Sequence, residues 1–138
     1  MFELDKRLRA DGPALEPFFD DHEIILKRGS QYPWLVVVPK VADVCEIFDL
    51  QEPERSFLFF VVSHVAKALK QATQADKINV ECIGNVCSQL HVHVIARFIG
   101  DDTWPAPVWS KPLETKDMDE DALIARVLVH MKAAVYDK

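Results

Sequence analysis

The feature that most constrains this chain is the stretch Gln89-Leu90-His91-Val92-His93-Val94-Ile95-Ala96-Arg97-Phe98. Its residues alternate with period two, the side-chain period of a β-strand and not of a helix. One face carries Leu90, Val92, Val94, Ala96 and Phe98; the other carries Gln89, His91, His93, Ile95 and Arg97. Such a strand lays its oily face on a core and turns the second face to solvent or a ligand. Imidazole is the side chain that titrates nearest neutrality, so two of them on one face suit proton transfer, nucleophilic attack or metal binding. The other reading of the pattern is a pair of solvated histidines on an open strand face.

The 138 residues, 49% of them hydrophobic, suffice for one domain, residues 1–138, with a core that needs neither metal nor disulfide. A formal net charge of -6 argues against nonspecific binding to nucleic acid over the whole surface. The opening Met1-Phe2-Glu3-Leu4-Asp5 has no basic region ahead of a hydrophobic run, so no secretory signal is expected, and no apolar run approaches the length of a membrane span. The three cysteines, Cys45, Cys82 and Cys87, are odd in number and lack a scaffold spacing, which fits a reduced, cytoplasmic setting.

Along the chain, Leu4 to Ala10 reads as a short helix ended by Gly12-Pro13. Glu23 to Leu26 and Trp34 to Val38 read as a strand hairpin around a turn at Lys27-Arg28-Gly29-Ser30. From Pro53 to Ala72, Leu58, Val61, Val62, Val65, Leu69 and Ala72 recur at helical spacing and predict the longest helix. Ile78, Val80 and Cys82 alternate with Asn79, Glu81 and Ile83 as another strand, with the first set facing the core, and Gly84-Asn85 turns the chain into the histidine strand. Asp119 is placed to cap a last helix over about 119–136, whose buried stripe is Leu123, Ile124, Val127, Leu128 and Met131. Hairpins and two principal helices give an α+β domain with an antiparallel sheet.

Gln89-Leu90-His91-Val92-His93-Val94-Ile95 resembles the signature of the histidine triad (HIT) family, His-φ-His-φ-His-φ-φ with φ hydrophobic, except that its first position is Gln. Three longer strings, "YPWLVVVPK", "GNVCSQLHVHVIARF" and "TWPAPVW", are similar to a bacterial branch of HIT-domain proteins often labelled diadenosine tetraphosphate hydrolase-like, and the likeness spans roughly residues 20 to 110. The resemblance implies a HIT-like fold with a five-stranded antiparallel sheet, a long helix and a C-terminal helix, assembled as a homodimer. It also implies nucleotidyl transfer from a dinucleoside polyphosphate or nucleoside phosphoramidate, through a nucleotidyl-histidine that water hydrolyses. By position His91 matches the central nucleophile and His93 the last triad histidine.

That chemistry needs a neutral imidazole whose second nitrogen keeps its proton, a donor beside it, and preorganised hydrogen bonds for the charge at phosphorus. Gln89, Ser88, Asn85 and Arg97 are the candidates for substrate binding, with Arg97 also readable as an ion-pair partner at the strand end. No metal or cofactor is required, although Mg²⁺ can accompany a polyphosphate substrate. Two positions depart from the family pattern: Gln89 stands for the first triad histidine, and Trp34 falls where many members carry another histidine. The alternative function is therefore a nucleotide-binding module with weak or no turnover. Lys27 and Arg28 occupy the region where the family holds ribose hydroxyls and read either as a preference for a more anionic substrate or, the favoured reading, as a solvated turn. A zinc site from Cys82, Cys87, His91 and His93 lacks the C-x2-C spacing of strong zinc signatures, so the cysteines read as packing residues. His22, His64 and His130 lie off the motif, and Trp104 and Trp109 sit on a proline-rich loop that packs over a nucleobase, a partner subunit or the sheet edge, with packing in the fold or dimer favoured.

Overall fold

The computed structural model describes residues 1–136. A four-stranded antiparallel sheet runs β1-β2-β4-β3, from β1 (His22–Leu26), β2 (Trp34–Pro39), β3 (Lys77–Glu81) and β4 (Val92–Arg97). Three α-helices accompany it: α1 (Lys6–Asp11), α2 (Glu54–Thr73) and α3 (Glu120–Tyr136). The β1–β2 hairpin matches the expected one, with His22 opposite Pro39 and Leu26 opposite Leu35. In its turn Gly29 takes φ +65, a conformation that favours glycine.

The expected fifth strand is absent among the described residues. The segment before β1 approaches its edge at a single bridge, Ala14 opposite Ile25, with Leu15 N donating to Ile24 O at 2.7 Å and Leu26 N to Pro13 O at 3.0 Å. Pro13 has no N–H to return, and Pro17 lies just beyond, so the ladder stops after one rung.

The sheet separates two apolar layers. On one face Ile24, Leu26, Leu35, Val37, Val92 and Val94 pack against α2 through Leu58, Val61, Val65 and Leu69. The stripe expected on α2 is the one it buries, with Ala72 at the edge of the same layer. Leu123, Val127 and Met131 of α3 join this layer, and Asp119 caps the helix by accepting from Ala122 N at 3.0 Å. His64 of α2 reaches Met131 O of α3 at 3.0 Å and stacks on Phe18, so it is a packing residue. On the other face Ile25, Trp34, Val36, Val38 and Ile95 pack against Leu4 and Leu8 of the α1 region and against Val108.

β4 is thus buried on both faces. The alternation read from the sequence holds, but the histidine face is covered instead of open, because α1 and the 101–116 loop lie over it. The strand also begins later than expected: His91 precedes it, and Leu90 N donates to Val44 O at 3.0 Å outside the sheet. β3 is the free edge, and there the expected inward set fails: Val80 and Cys82 are exposed, and only Ile78 packs on the core. No helix among the described residues is long and apolar enough to cross a membrane.

Candidate active site

A cavity of about 560 Å³ opens on the histidine face of the sheet. His91 and His93 form its floor, α1 contributes Leu8 and Asp11 to one wall, and the 83–87 loop with Trp109 forms another. Gly84 takes φ +77, which bends that loop back over the cavity before the chain enters β4.

The two imidazoles meet edge to face with centroids 4.9 Å apart, and each residue is 6% exposed. Nδ1 of His91 lies 2.6 Å from the backbone oxygen of Gln89. A carbonyl can only accept, so Nδ1 carries a proton, and in the neutral ring Nε2 keeps the lone pair. Among the described residues Nε2 has no protein partner, and the ring borders the cavity. His93 is held from below: Trp34, fully buried on β2, donates its indole N–H to Nδ1 at 3.0 Å. The β2–β4 register makes this contact, since Val36 lies opposite His93 and Trp34 opposite Ile95 on the same face. Burial, then the neighbouring His91 and the Lys27 ammonium, push the His93 pKa down to about 3.

Lys27 leaves β1 and enters the cavity wall, with Nζ 5.1 Å from the Trp34 ring centroid and 3.5 Å from the Asp11 carboxylate. The solvated turn expected at Lys27-Arg28 is therefore correct only for Arg28, which is exposed. Trp109 lies with its ring 5.4 Å from His93 and 5.1 Å from Trp34, and its indole N–H donates to Glu81.

Of the four substrate-binding candidates, only Asn85 reaches the cavity. Ser88 is exposed outside it. Gln89 turns away and grips the N-terminal segment: Oε1 accepts from Asp5 N at 2.9 Å and Nε2 donates to Glu3 O at 2.8 Å. Arg97 is 1% exposed and wholly engaged. It donates to both Asp101 carboxylate oxygens at 2.8 Å, to Asn79 Oδ1 at 2.8 Å and to Ala106 O at 2.9 Å. The rings of Tyr32 and Trp104 flank it at 5.4 and 5.6 Å. Its side chain is held as in the ion-pair reading, by acceptors from the 101–106 loop and from Asn79 of β3. His22 pairs with Asp21 at 3.0 Å, on the far part of the sheet from the cavity.

The α1 wall is the part of the site that the sequence did not disclose, while Lys27 and Trp34 were noted only against the family pattern, without their contacts. The period-two stretch points to His91 and His93, but neither the docking of α1 nor the Trp34 bond has a local pattern. No group of three or more His, Cys, Asp or Glu side chains able to hold a metal ion occurs among the described residues.

An antiparallel sheet backed by a long helix, with a His-x-His pair at the mouth of its central strand, defines a histidine triad domain. The family model of the HIT domain matches residues 18–100, and the chain belongs to that family. A histidine triad protein from Sinorhizobium meliloti 1021 superposes with a TM-score of 0.86 at 40% identity, covering 94% of this chain and 96% of that one. One from Bradyrhizobium japonicum gives 0.86 at 35% identity over 94% and 98%, and one from Marinobacter aquaeolei VT8 gives 0.85 at 31% over 96% and 97%. No match was found among curated proteins.

Proposed function

We propose that this HIT domain, residues 1–138, is a nucleotide hydrolase or nucleotidyl transferase of the cytoplasm. Its substrates are dinucleoside polyphosphates, as in diadenosine tetraphosphate hydrolase-like members, or nucleoside phosphoramidates. One observation carries the reading: at the edge of a nucleotide-sized cavity, His91 commits Nδ1 to the Gln89 carbonyl at 2.6 Å and keeps Nε2 free. Nε2 attacks the α-phosphorus and forms a P–N bond, while the bond from phosphorus to the leaving group breaks with its electron pair and the leaving group takes a proton from solvent; the water of the second step returns one. Water then attacks phosphorus, the P–N bond breaks, and its pair returns to Nε2. His93 and the amides near Gly84-Asn85 supply donors to the phosphate oxygens. Trp109, 43% exposed at the cavity wall, offers its ring to the base. Mg²⁺ enters only as the counterion of a polyphosphate.

Incubation with adenosine phosphoramidate and diadenosine tetraphosphate tests the reading. Wild-type protein should release AMP, His91→Ala should not, and a brief mixing experiment should leave nucleotide on His91 by mass spectrometry. Label on another residue reassigns the nucleophile.

The position of Gln89 supports a second reading, a nucleotide-binding module, because the first triad position places no side chain in the cavity. Binding without product, with His91→Ala behaving as wild type, selects it. We also propose a homodimer through the open edge of β3, where Val80 is 51% exposed. Light scattering should give twice the 15.7 kDa chain mass.

A further inference from the structure

We infer that Trp34 is a positioning residue that fixes the tautomer of His93, so that His93 meets a bound anion as a neutral, permanent N–H donor and not as a proton-transferring acid. An indole nitrogen carries a hydrogen and has no lone pair to offer, so in the 3.0 Å contact between Trp34 Nε1 and His93 Nδ1 the ring of His93 must accept. The proton of the neutral imidazole then sits on Nε2. That nitrogen has no protein partner among the described residues, and the ring borders the cavity.

Protonation of His93 would set two N–H groups against each other at Nδ1. Two neighbours oppose it as well: Lys27, whose ammonium lies 5.1 Å from the Trp34 ring that holds His93, and His91, whose ring is 4.9 Å away. Asp11 of the cavity wall is engaged by Lys27 at 3.5 Å, and Glu81, opposite His93 in the β3–β4 ladder, by the Trp109 indole. Trp34 itself is fully buried between β1 and β4 and cannot turn away without breaking the apolar layer beneath α1.

The site therefore holds two unlike nitrogens: a lone pair on His91 Nε2, fixed by a backbone carbonyl, and a hydrogen on His93 Nε2, fixed by an indole. His93 binds phosphate oxygen without giving up its proton, since the loss would leave an imidazolate. The catalytic half of this inference rests on the proposed function; the tautomer does not.

Nitrogen-15 NMR of the full chain is the test. In wild-type protein His93 should appear as a single Nε2–H tautomer from pH 8 to 5, with a scalar coupling across the N–H···N bond to Trp34. An Nδ1–H tautomer, or an imidazolium by pH 5, overturns the proposal. In Trp34→Phe the His93 spectrum should become a mixture of tautomers; an unchanged tautomer overturns the proposal. Where that variant does not fold, the wild-type spectrum still decides. With adenosine phosphoramidate as substrate, Trp34→Phe should lower kcat severalfold with KM nearly constant, less than the roughly 10²–10³-fold that removing a donor outright costs. A mixed tautomer with unchanged kcat removes the catalytic role. Absence of turnover in wild type fails the functional reading and leaves the NMR result standing by itself.

Discussion

Gln89 Oε1 accepts the backbone N–H of Asp5 at 2.9 Å, so the residue in the first triad position fastens the N-terminal segment and not the substrate. Its amide nitrogen completes the clamp on Glu3 O at 2.8 Å. Arg7 adds a bond to Val86 O at 2.6 Å on the loop opposite. The wall formed by α1 is therefore tied to the same segment that carries His91.

Gln89→Ala removes two neutral hydrogen bonds worth about 1 kcal/mol each. The loss should be local. Hydrogen exchange of the α1 amides should accelerate roughly tenfold or more, by the factor that about 1.4 kcal/mol brings to an equilibrium. The global unfolding midpoint should move little. Equal loss of protection throughout the sheet would contradict the clamp.

Asp101→Asn should be far more damaging. The side-chain bonds to Arg97 hold the Asp101 carboxyl below its ordinary pKa, while burial opposes them. Removing the charge leaves a guanidinium that is 1% exposed with no anion, and breaking such a pair costs about 3–5 kcal/mol. Urea unfolding should report it. A depressed carboxyl stabilises the fold above its unfolded value, so this contribution falls as pH drops through the lowered native pKa.

His93 loses stability to acid over a different range. Its folded value of about 3 lies below the ordinary 6.5, so the unfolded chain takes up a proton that the native one refuses. Above pH 6.5 the group contributes no pH dependence, and stability declines as pH falls from 6.5 toward 3. The slope is about 1.4 kcal/mol per pH unit for one proton. Between pH 6.5 and 3 the stability of wild type should fall with this extra slope and that of His93→Gln should not. Parallel curves would show that His93 does not titrate this way.

Gly12→Ala should dislodge α1. A Cβ there would fall 1.8 Å from Leu26 O, a backbone atom of β1 that cannot step aside. The expected cost is about 1–3 kcal/mol, typical of forced overpacking. A folded variant should show lower nucleotide affinity, because Leu8 and Asp11 move with the helix. Unchanged stability and affinity would contradict the close approach.

The sheet and its helices were legible because their residues repeat. Period two marked β2 and β4, and the 3.6-residue stripe marked α2 and α3. The missing strand was less legible, since one bridge at Ala14 depends on Pro13 meeting the edge of β1. Arg97 shares strand parity with the histidines, yet its side chain is claimed by a loop whose path no local pattern describes. Gln89 was opaque for a different reason. Its partners are the backbone groups of Glu3 and Asp5, which every residue possesses, so no residue type signalled the contact. Trp34 stood out as a departure from the family pattern, but its bond to His93 emerges only from the β2–β4 register.

The unlikeness of the two histidine nitrogens gives the cavity a handedness. A phosphorothioate is chiral at phosphorus, and sulfur accepts a hydrogen bond less well than oxygen. With the nucleoside held in place as a third point, one diastereomer presents oxygen to His93 while its phosphorus faces His91, so a mixture of the two diastereomers should be consumed to about half.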